Sequence, residues 1–144
     1  MLINSLLLIH EHVGSNMKIT IKKYNSNWKT KFEKEFHHLI GSIKEDEVFI
    51  EHIGSTSVEG LGAKPIIDIM IGLKDFKTAN NHIKSIENLG YKYVPKYEYL
   101  MPYRRYFTKK KNGIKSHHIH MVGYQTEFWN RHIEFRNHLR VNDE

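Results

Sequence analysis

Alternation of apolar and polar residues predicts a β-strand at "MKITIKKY" (17–24), because successive side chains of a strand point to opposite faces. Further strands are predicted at "EVFIEHI" (47–53) and at "YRRYFTKK" and "KSHHIHMVGY" (103–110 and 115–124). The last two flank Asn112-Gly113, a dipeptide typical of two-residue hairpin turns. "PIIDIMIG" (65–72) is apolar on both faces, which suits a central strand. "YKYVPKY" (91–97) is predicted to be extended and interrupted by Pro95.

Three segments show helical spacing instead. After the potential N-caps Asn25, Ser26 and Asn27, large apolar residues recur every three or four positions, which predicts an amphipathic helix of about four turns. A second helix is predicted from Phe76 to Leu89, with Gly90 as its C-cap. A last helix covers "TEFWNRHIEFRNHLR" (126–140). Its expected buried stripe consists of Phe128 (or Trp129), His132, Phe135 and Leu139. The predicted fold class is α+β, a mixed sheet flanked by helices.

Composition narrows the function. The 144 residues contain no cysteine, so disulfides, thiolate metal sites and thiol catalysis are excluded. The net charge of +6 favours anionic partners. Nucleic acid is an unlikely partner, because the basic residues lie on a helix face and at a hairpin tip and match no nucleic-acid-binding module. No apolar run is long enough for a membrane span, so the expectation is a cytoplasmic protein without a membrane partner. Residues 1–16 are predicted to be an extension, possibly disordered, before a single domain over 17–144.

The most informative stretch joins a small-residue turn to a strand with one acid. In "PIIDIMIG" the carboxylate of Asp68 shares a strand face with Met70, and burying an unpaired carboxylate costs several kcal/mol. Asp68 therefore needs either a basic partner for purely architectural reasons or a ligand. The preceding turn, Gly54 to Ser57, has the small residues that let a backbone approach an anion. It is equally compatible with an ordinary capped turn.

Four motifs carry a family resemblance. "HIGSTSVEGLGAKPIIDI", "RRYFTK", "HHIHMV" and "EFWNRHIEFRNHLR" together resemble the GrpB family, whose members stand alone or are fused to dephospho-CoA kinases. The similarity runs from about Lys18 to Arg140. The order of strand, Gly-Ser turn and acid-bearing strand also resembles the nucleotidyltransferase superfamily, in which the turn holds a triphosphate and carboxylates hold magnesium.

The resemblance implies a set of site residues. Asp68, His118 and His120 are the candidates for catalysis, and Asp68 is the candidate ligand of Mg²⁺ or Mn²⁺. The candidates for binding phosphate are Gly54, Ser55, Ser57, Lys64, Arg104, Arg105 and Arg136. Two departures from the superfamily pattern count against metal-dependent transfer. Met70 stands where a second acid is usual, and a two-metal mechanism needs several carboxylates. The C-terminus also appears shortened relative to the family.

Several roles stay open at this stage. His118 and His120 share a strand face and would either bind a metal with Asp68 or form hydrogen bonds in a polar cleft. Lys64 would neutralise a phosphate or pair with Asp68 or Glu59. Arg104 and Arg105 point to opposite faces, so at most one of them reaches the cleft.

The function expected from these observations is binding of a nucleotide or another phosphorylated small molecule, with nucleotidyl transfer as the activity if the protein is an enzyme. The alternative is a non-catalytic interaction module on a degenerate transferase fold. The sequence indicates no oligomeric state.

Overall fold

The computed structural model describes residues 20–141. Helix α1 (Asn27–Ser42) is followed by strand β1 (Val48–Ile53), a 3₁₀ turn (Ser55–Ser57) and strand β2 (Ile67–Leu73). A 3₁₀ helix (Phe76–His82) then continues into the short helix α2 (Ile83–Glu87). Strand β3 (Lys92–Tyr93), a 3₁₀ turn (Pro95–Tyr97), strands β4 (Arg104–Lys111) and β5 (Ile114–Gly123), and helix α3 (Glu127–Val141) complete the order.

The five strands form one mixed sheet in the order β1-β2-β5-β4-β3. Only the pairing of β2 with β5 is parallel; the other three pairs are antiparallel. The predicted α+β class is confirmed. The acid-bearing strand β2 lies inside the sheet, as its apolar sequence indicated, and β1 is an edge strand. Within residues 20–141, no helix is long and apolar enough to cross a bilayer.

The larger hydrophobic core lies on one face of the sheet, which we call the α1 face. Alternate residues of β2, namely Ile67, Ile69 and Ile71, are buried there against α1 and the 76–87 segment. This face also holds a buried ion pair, in which Glu35 of α1 accepts hydrogen bonds from Lys109 Nζ (2.8 Å) and Tyr91 Oη (2.6 Å). Helix α1 is thereby joined to β4 by charge as well as by apolar packing.

The opposite face, which we call the α3 face, is partly apolar and partly polar. Met70 and Val122 are buried with Phe128 and Trp129 of α3. The strand register places Asp68, His118 and Thr108 in one row across this face, and Met70, His120 and Tyr106 in the next. The polar residues of three strands are therefore neighbours on the face that α3 flanks.

The hairpin prediction is confirmed. Asn112 and Gly113 both have positive φ (54° and 78°), as a type I′ turn requires, and β4 and β5 pair antiparallel on either side.

Three details of the helices and strands differ from the sequence prediction. The described part of 17–24 forms only an isolated bridge from Lys22 to Ala63, and 17–19 lie outside the described residues. The single helix predicted for Phe76–Leu89 is instead a 3₁₀ helix followed by five α-helical residues. Its apolar residues still pack on the core, because 3₁₀ and α turns bring nearly the same residues to one side; Ala79 and Ile86 are buried, and Phe76, Ile83 and Leu89 are half-buried. At α1, the Asn25 side chain accepts the Asn27 N–H at 2.9 Å, whereas Ser26 makes no capping hydrogen bond.

The buried stripe of α3 also differs from the prediction. Phe128, Trp129 and His132 are buried as expected, but the fourth buried residue is Arg136, while Phe135 and Leu139 are only half-buried. Arg136 takes this place because its guanidinium finds acceptors there: Nη1 donates to Glu51 Oε1 at 2.6 Å and to the His52 carbonyl at 3.0 Å.

Candidate functional site

The Gly-Ser turn lies directly against the lone carboxylate. Gly54 has φ +74° and ψ −178°, a conformation that side-chain-bearing residues rarely adopt. A Cβ added at Gly54 would be 2.7 Å from Asp68 Oδ2. The glycine is therefore required both for its backbone angles and for the close approach of the turn to Asp68.

Two histidines surround the carboxylate on its other side. His118 Nδ1 lies 3.3 Å from Asp68 Oδ1, and His120 Nε2 lies 3.8 Å from the same oxygen. The side chain of Asp68 is 24% exposed, whereas both imidazoles are only 4% exposed. Of these three groups, Asp68 is the one that solvent or a ligand reaches.

The pKa values follow from this packing. Burial alone would raise the pKa of Asp68, but the contact with His118 and the nearby His120 imidazole outweigh it and hold the pKa well below its ordinary value. Burial, helped by the charge of Arg104, lowers the pKa of His120 to about 4. At neutral pH the site therefore holds an ionised aspartate beside a neutral His120.

The hydrogen bonds also fix which ring nitrogens carry protons. His118 contacts Asp68 through Nδ1, which must then carry its proton. His120 Nδ1 accepts from Arg104 Nη1 at 3.0 Å, so Nε2, which faces Asp68, carries the proton. Arg104 is buried, with its guanidinium carbon 4.5 Å from the centre of the Tyr106 ring. Arg104, and not Arg105, is therefore the arginine that joins this cluster.

This arrangement does not fit Mg²⁺ or Mn²⁺. Both imidazoles present N–H groups to Asp68, so neither directs a lone pair at the place where a shared metal would sit. These cations prefer several oxygen ligands, and Met70 provides none. Within residues 20–141, no group of three or more His, Asp or Glu side chains is arranged to hold a metal. The metal role of Asp68 stays a prediction, and we derive no step from it.

A groove of about 960 Å³ lies on the other side of the Gly-Ser turn, along the outer edge of β1. We call it the edge groove. Its walls are α1, β1, the turn and the C-terminal half of α3, and its lining includes Ser57, Arg136 and Arg140 but not Asp68, His118 or His120. The residues predicted as one site therefore fall into two neighbouring places. The first place is the Asp68 carboxylate and its surroundings, formed by Gly54, His118, His120 and Arg104. The second is the edge groove, which Ser57 and Arg136 line.

Arg105 lies away from both places, whereas Ser55 belongs to the turn itself. Arg105 is on the α1 face, where Nε donates to Asn80 Oδ1 at 2.8 Å and Nη1 to the Pro102 carbonyl at 3.0 Å. Ser55 and Lys64 are half-buried, at the start of the turn and before Pro65 respectively. Ser57 donates from its hydroxyl to the Gly54 carbonyl, so this hydroxyl stabilises the turn.

Sequence reasoning missed two residues of functional interest. His132 of α3 was expected in the core, but its ring stacks 6.4 Å from that of His120. His132 Nδ1 donates to the Phe128 carbonyl at 2.8 Å, and its buried Nε2 has no hydrogen-bond partner among the described residues. Arg140 was not selected, although its i, i+4 spacing from Arg136 places both on one helix side. That spacing was the sequence signal that could have identified Arg140. Nothing in the sequence distinguished His132 from an ordinary core residue.

Comparison with known proteins gives consistent results. Residues 18–144 match the family model described as GrpB protein. The chain is 36% identical over 129 residues to the glutamate-rich protein GrpB of Alkalihalophilus pseudofirmus, covering 87% of this chain and 73% of that protein. It is 35% identical to the UPF0157 protein YqkA of Bacillus subtilis, covering 94% of this chain but only 39% of YqkA.

A solved structure agrees with these sequence matches. The crystal structure of the conserved protein GrpB from Enterococcus faecalis superposes with a TM-score of 0.77 at 34% identity, covering 86% of this chain and 74% of that one. Sequence and fold lead to the same conclusion: the chain belongs to the GrpB family.

Proposed function

We propose that this GrpB-family chain binds a nucleotide or another phosphorylated small molecule where the Gly-Ser turn meets Asp68. The observation that carries the proposal is the 2.7 Å approach between the position of a Gly54 Cβ and Asp68 Oδ2. A turn whose glycine adopts a conformation that other residues rarely reach, directly against an ionised side chain, is a combination that recurs at functional sites.

The roles of the residues follow from their charges. The turn, from Gly54 to Ser55, and the buried cation of Arg104 are suited to an anionic phosphate. Asp68 would repel that phosphate directly, so in the proposed complex it accepts a hydrogen bond from a hydroxyl group of the ligand. Because its pKa is low, Asp68 stays ionised and acts in the proposed complex by accepting and orienting that hydroxyl, with His118 stabilising its charge. Nucleotidyl or phosphoryl transfer is the activity this arrangement would serve.

The test is a thermal-shift and calorimetric titration with AMP, ATP and dephospho-CoA, each with and without MgCl₂ or MnCl₂. A ligand that binds only the folded state adds about 2.7 kcal/mol of stability at a hundred times its Kd. We expect Asp68→Asn to abolish the shift. Asp46→Asn should leave it unchanged, because Asp46 is an exposed acid in the loop before β1, at the opposite end of that strand from the turn. Retained binding by Asp68→Asn would refute the proposal.

The titrations with MgCl₂ or MnCl₂ test separately whether ligand binding requires a metal ion. The donor set around Asp68 leads us to expect the same shift with and without metal. A shift that requires Mg²⁺ or Mn²⁺ and disappears in Asp68→Asn would show that the side chains rearrange to bind metal, and would restore Asp68 as its ligand.

The second candidate function, a non-catalytic interaction module, is favoured by a different observation. The loop between the Pro95–Tyr97 turn and β4 carries three exposed apolar side chains, Tyr99 (81% exposed), Leu100 (57%) and Tyr103 (50%). Such a patch is typical of protein-binding surfaces. No shift with any of the titrated ligands would favour this candidate.

A further inference from the structure

We propose that the edge groove is a second binding site, for a sugar phosphate or similar hydroxyl-bearing phosphate ester, with Arg140 and Lys29 binding the phosphate. The site is separate from Asp68 and does not depend on the function proposed above.

The shape and polarity of the groove suit a small polar ligand. Its volume of about 960 Å³ is within the range of small-molecule sites. Thr56, Ser57 and Arg136 are buried at its inner end, while Lys29 and Glu33 are exposed at its rim. A ligand therefore meets hydrogen-bonding groups along the whole depth of the groove.

Arg136 holds the groove together and has little capacity left for a ligand. Its Nη1 donates to Glu51 Oε1 and to the His52 carbonyl, and its Nε and Nη2 donate to Asn137 Oδ1 at 3.1 and 3.0 Å. The pairing with Arg136 also neutralises Glu51. Arg136 is thus a positioning residue that attaches α3 to the edge of β1.

Arg140 is oriented by the protein but not neutralised by it. Its Nε and Nη2 donate to the Ser57 carbonyl at 3.1 and 3.0 Å, which fixes the plane of the guanidinium and leaves Nη1 to donate elsewhere. Burial and the neighbouring charge of Arg136 lower the pKa of Arg140 and outweigh the attraction of Glu51, although much of the residue is exposed to solvent. An anion beside Nη1 would relieve this repulsion.

The remaining lining groups define the ligand class. Lys29 gives a second cation on the opposite wall, and Glu33 and Glu59 at the rim accept hydrogen bonds from hydroxyl groups. Burial lowers the pKa of His52 to about 4, so this residue is neutral at pH 7 and adds no charge. Two cations interspersed with carboxylates match a phosphate ester that also carries hydroxyl groups, and a purely apolar ligand does not match them.

The experiment is a ¹H–¹⁵N NMR titration of the full chain with ribose 5-phosphate, with inorganic phosphate as a second probe. We expect shift changes at Lys29, Ser57 and Arg140. Arg140→Gln should weaken binding about tenfold or more, because it removes a charge-assisted hydrogen bond. Lys29→Gln should weaken it in the same direction. The matched control is Arg131→Gln, an exposed arginine of α3 that pairs with Glu127.

Each outcome bears on the proposal. If Asp68→Asn binds ribose 5-phosphate as the native chain does and Arg140→Gln loses this binding, the result supports a site separate from Asp68. Loss in Asp68→Asn with no effect of Arg140→Gln overturns it. Equal weakening by Arg131→Gln would show attraction to the basic surface alone, which also overturns it. If inorganic phosphate bound as tightly as ribose 5-phosphate, the proposal that the groove recognises the hydroxyl groups of a sugar would be overturned.

Discussion

Replacing Gly54 by alanine should destabilise the protein through two separable effects. The first is backbone strain, since φ +74° with ψ −178° lies in a region nearly restricted to glycine, at a cost of about 1–3 kcal/mol. The second is steric, since the new Cβ would lie 2.7 Å from Asp68 Oδ2 and force the carboxylate to move. Losing its charged hydrogen bond to His118 would cost about 1.5–3 kcal/mol more. The expected total is therefore about 2.5–6 kcal/mol.

The assay is urea denaturation followed by circular dichroism and by tryptophan fluorescence. Gly60→Ala is the matched control, because Gly60 also has positive φ (+83°) but an added Cβ there would meet no atom within 4 Å. This control should show only the backbone cost, about 1–3 kcal/mol. The difference between the two variants measures the contact with Asp68.

A double-mutant cycle tests the cause. In an Asp68→Ala background the contact with Oδ2 is removed and only a 3.2 Å contact with the Cβ of residue 68 is left, so Gly54→Ala should cost only slightly more than Gly60→Ala. Equal costs for the two glycine variants in the native background, or a Gly54→Ala cost unaffected by Asp68→Ala, would refute the reasoning.

Three further changes test other parts of the structure. Gly72→Ala should lower the stability by about 1–3 kcal/mol, because the added Cβ would lie 2.6 Å from Trp129 Cζ3 in a packed core. Urea denaturation measures the loss of stability, and tryptophan fluorescence reports the displacement of Trp129. Glu35→Ala should cost about 3 kcal/mol, because it leaves the Lys109 ammonium buried without its carboxylate, and Glu35→Ala/Lys109→Met should recover part of this. Acidification should lower stability through His52, whose pKa is about 4 in the folded state and 6.5 ordinarily. Below pH 6.5 His52 is protonated in the unfolded chain but stays neutral in the folded chain until the pH approaches 4. The stability due to neutral His52 is therefore complete above pH 6.5 and decreases towards pH 4, by up to about 1.4 kcal/mol per pH unit.

Each of these changes has its own control. Gly41→Ala adds a Cβ into open space and should be nearly neutral, so a comparable loss there would contradict the packing argument for Gly72. A loss from Glu35→Ala no greater than from Glu33→Ala, on the exposed side of α1, would show that the buried pair contributes nothing. His52→Gln should reduce the pH dependence by one proton, whereas the exposed His38→Gln should leave it unchanged.

The sequence predicted the sheet well because its strands carry strong local signals. Asn112-Gly113 fixes the hairpin, and the apolar character of 65–72 places β2 inside the sheet. The segment 76–89 was harder, because the apolar spacing of 3₁₀ and α turns is similar and local hydrogen bonds decide between them. At the start of this segment Asp75 accepts the Lys77 N–H, a contact compatible with either helix type.

Sequence reasoning predicted only in part which of the candidate residues lie next to one another. Asp68, His118 and His120 were selected from strand period and resemblance, and the parallel register of β2 and β5 does bring them together. The assignment of Arg104 rather than Arg105 depended on which strand face meets the cluster, and alternation alone does not decide this. The separation of Arg136 from Asp68 depends on the path of α3 across the sheet, which is set by tertiary packing.

The contact between Arg136 and the His52 carbonyl has a consequence for self-association. An edge strand exposes unpaired backbone groups that can recruit a strand from another molecule. On β1 one such carbonyl is already bonded to a guanidinium, so it is not available to an incoming strand. At the other edge, β3 pairs through only two residues. Both edge strands, β1 and β3, are therefore poor templates for the pairing of a further strand. This protects the folded protein from edge-to-edge aggregation.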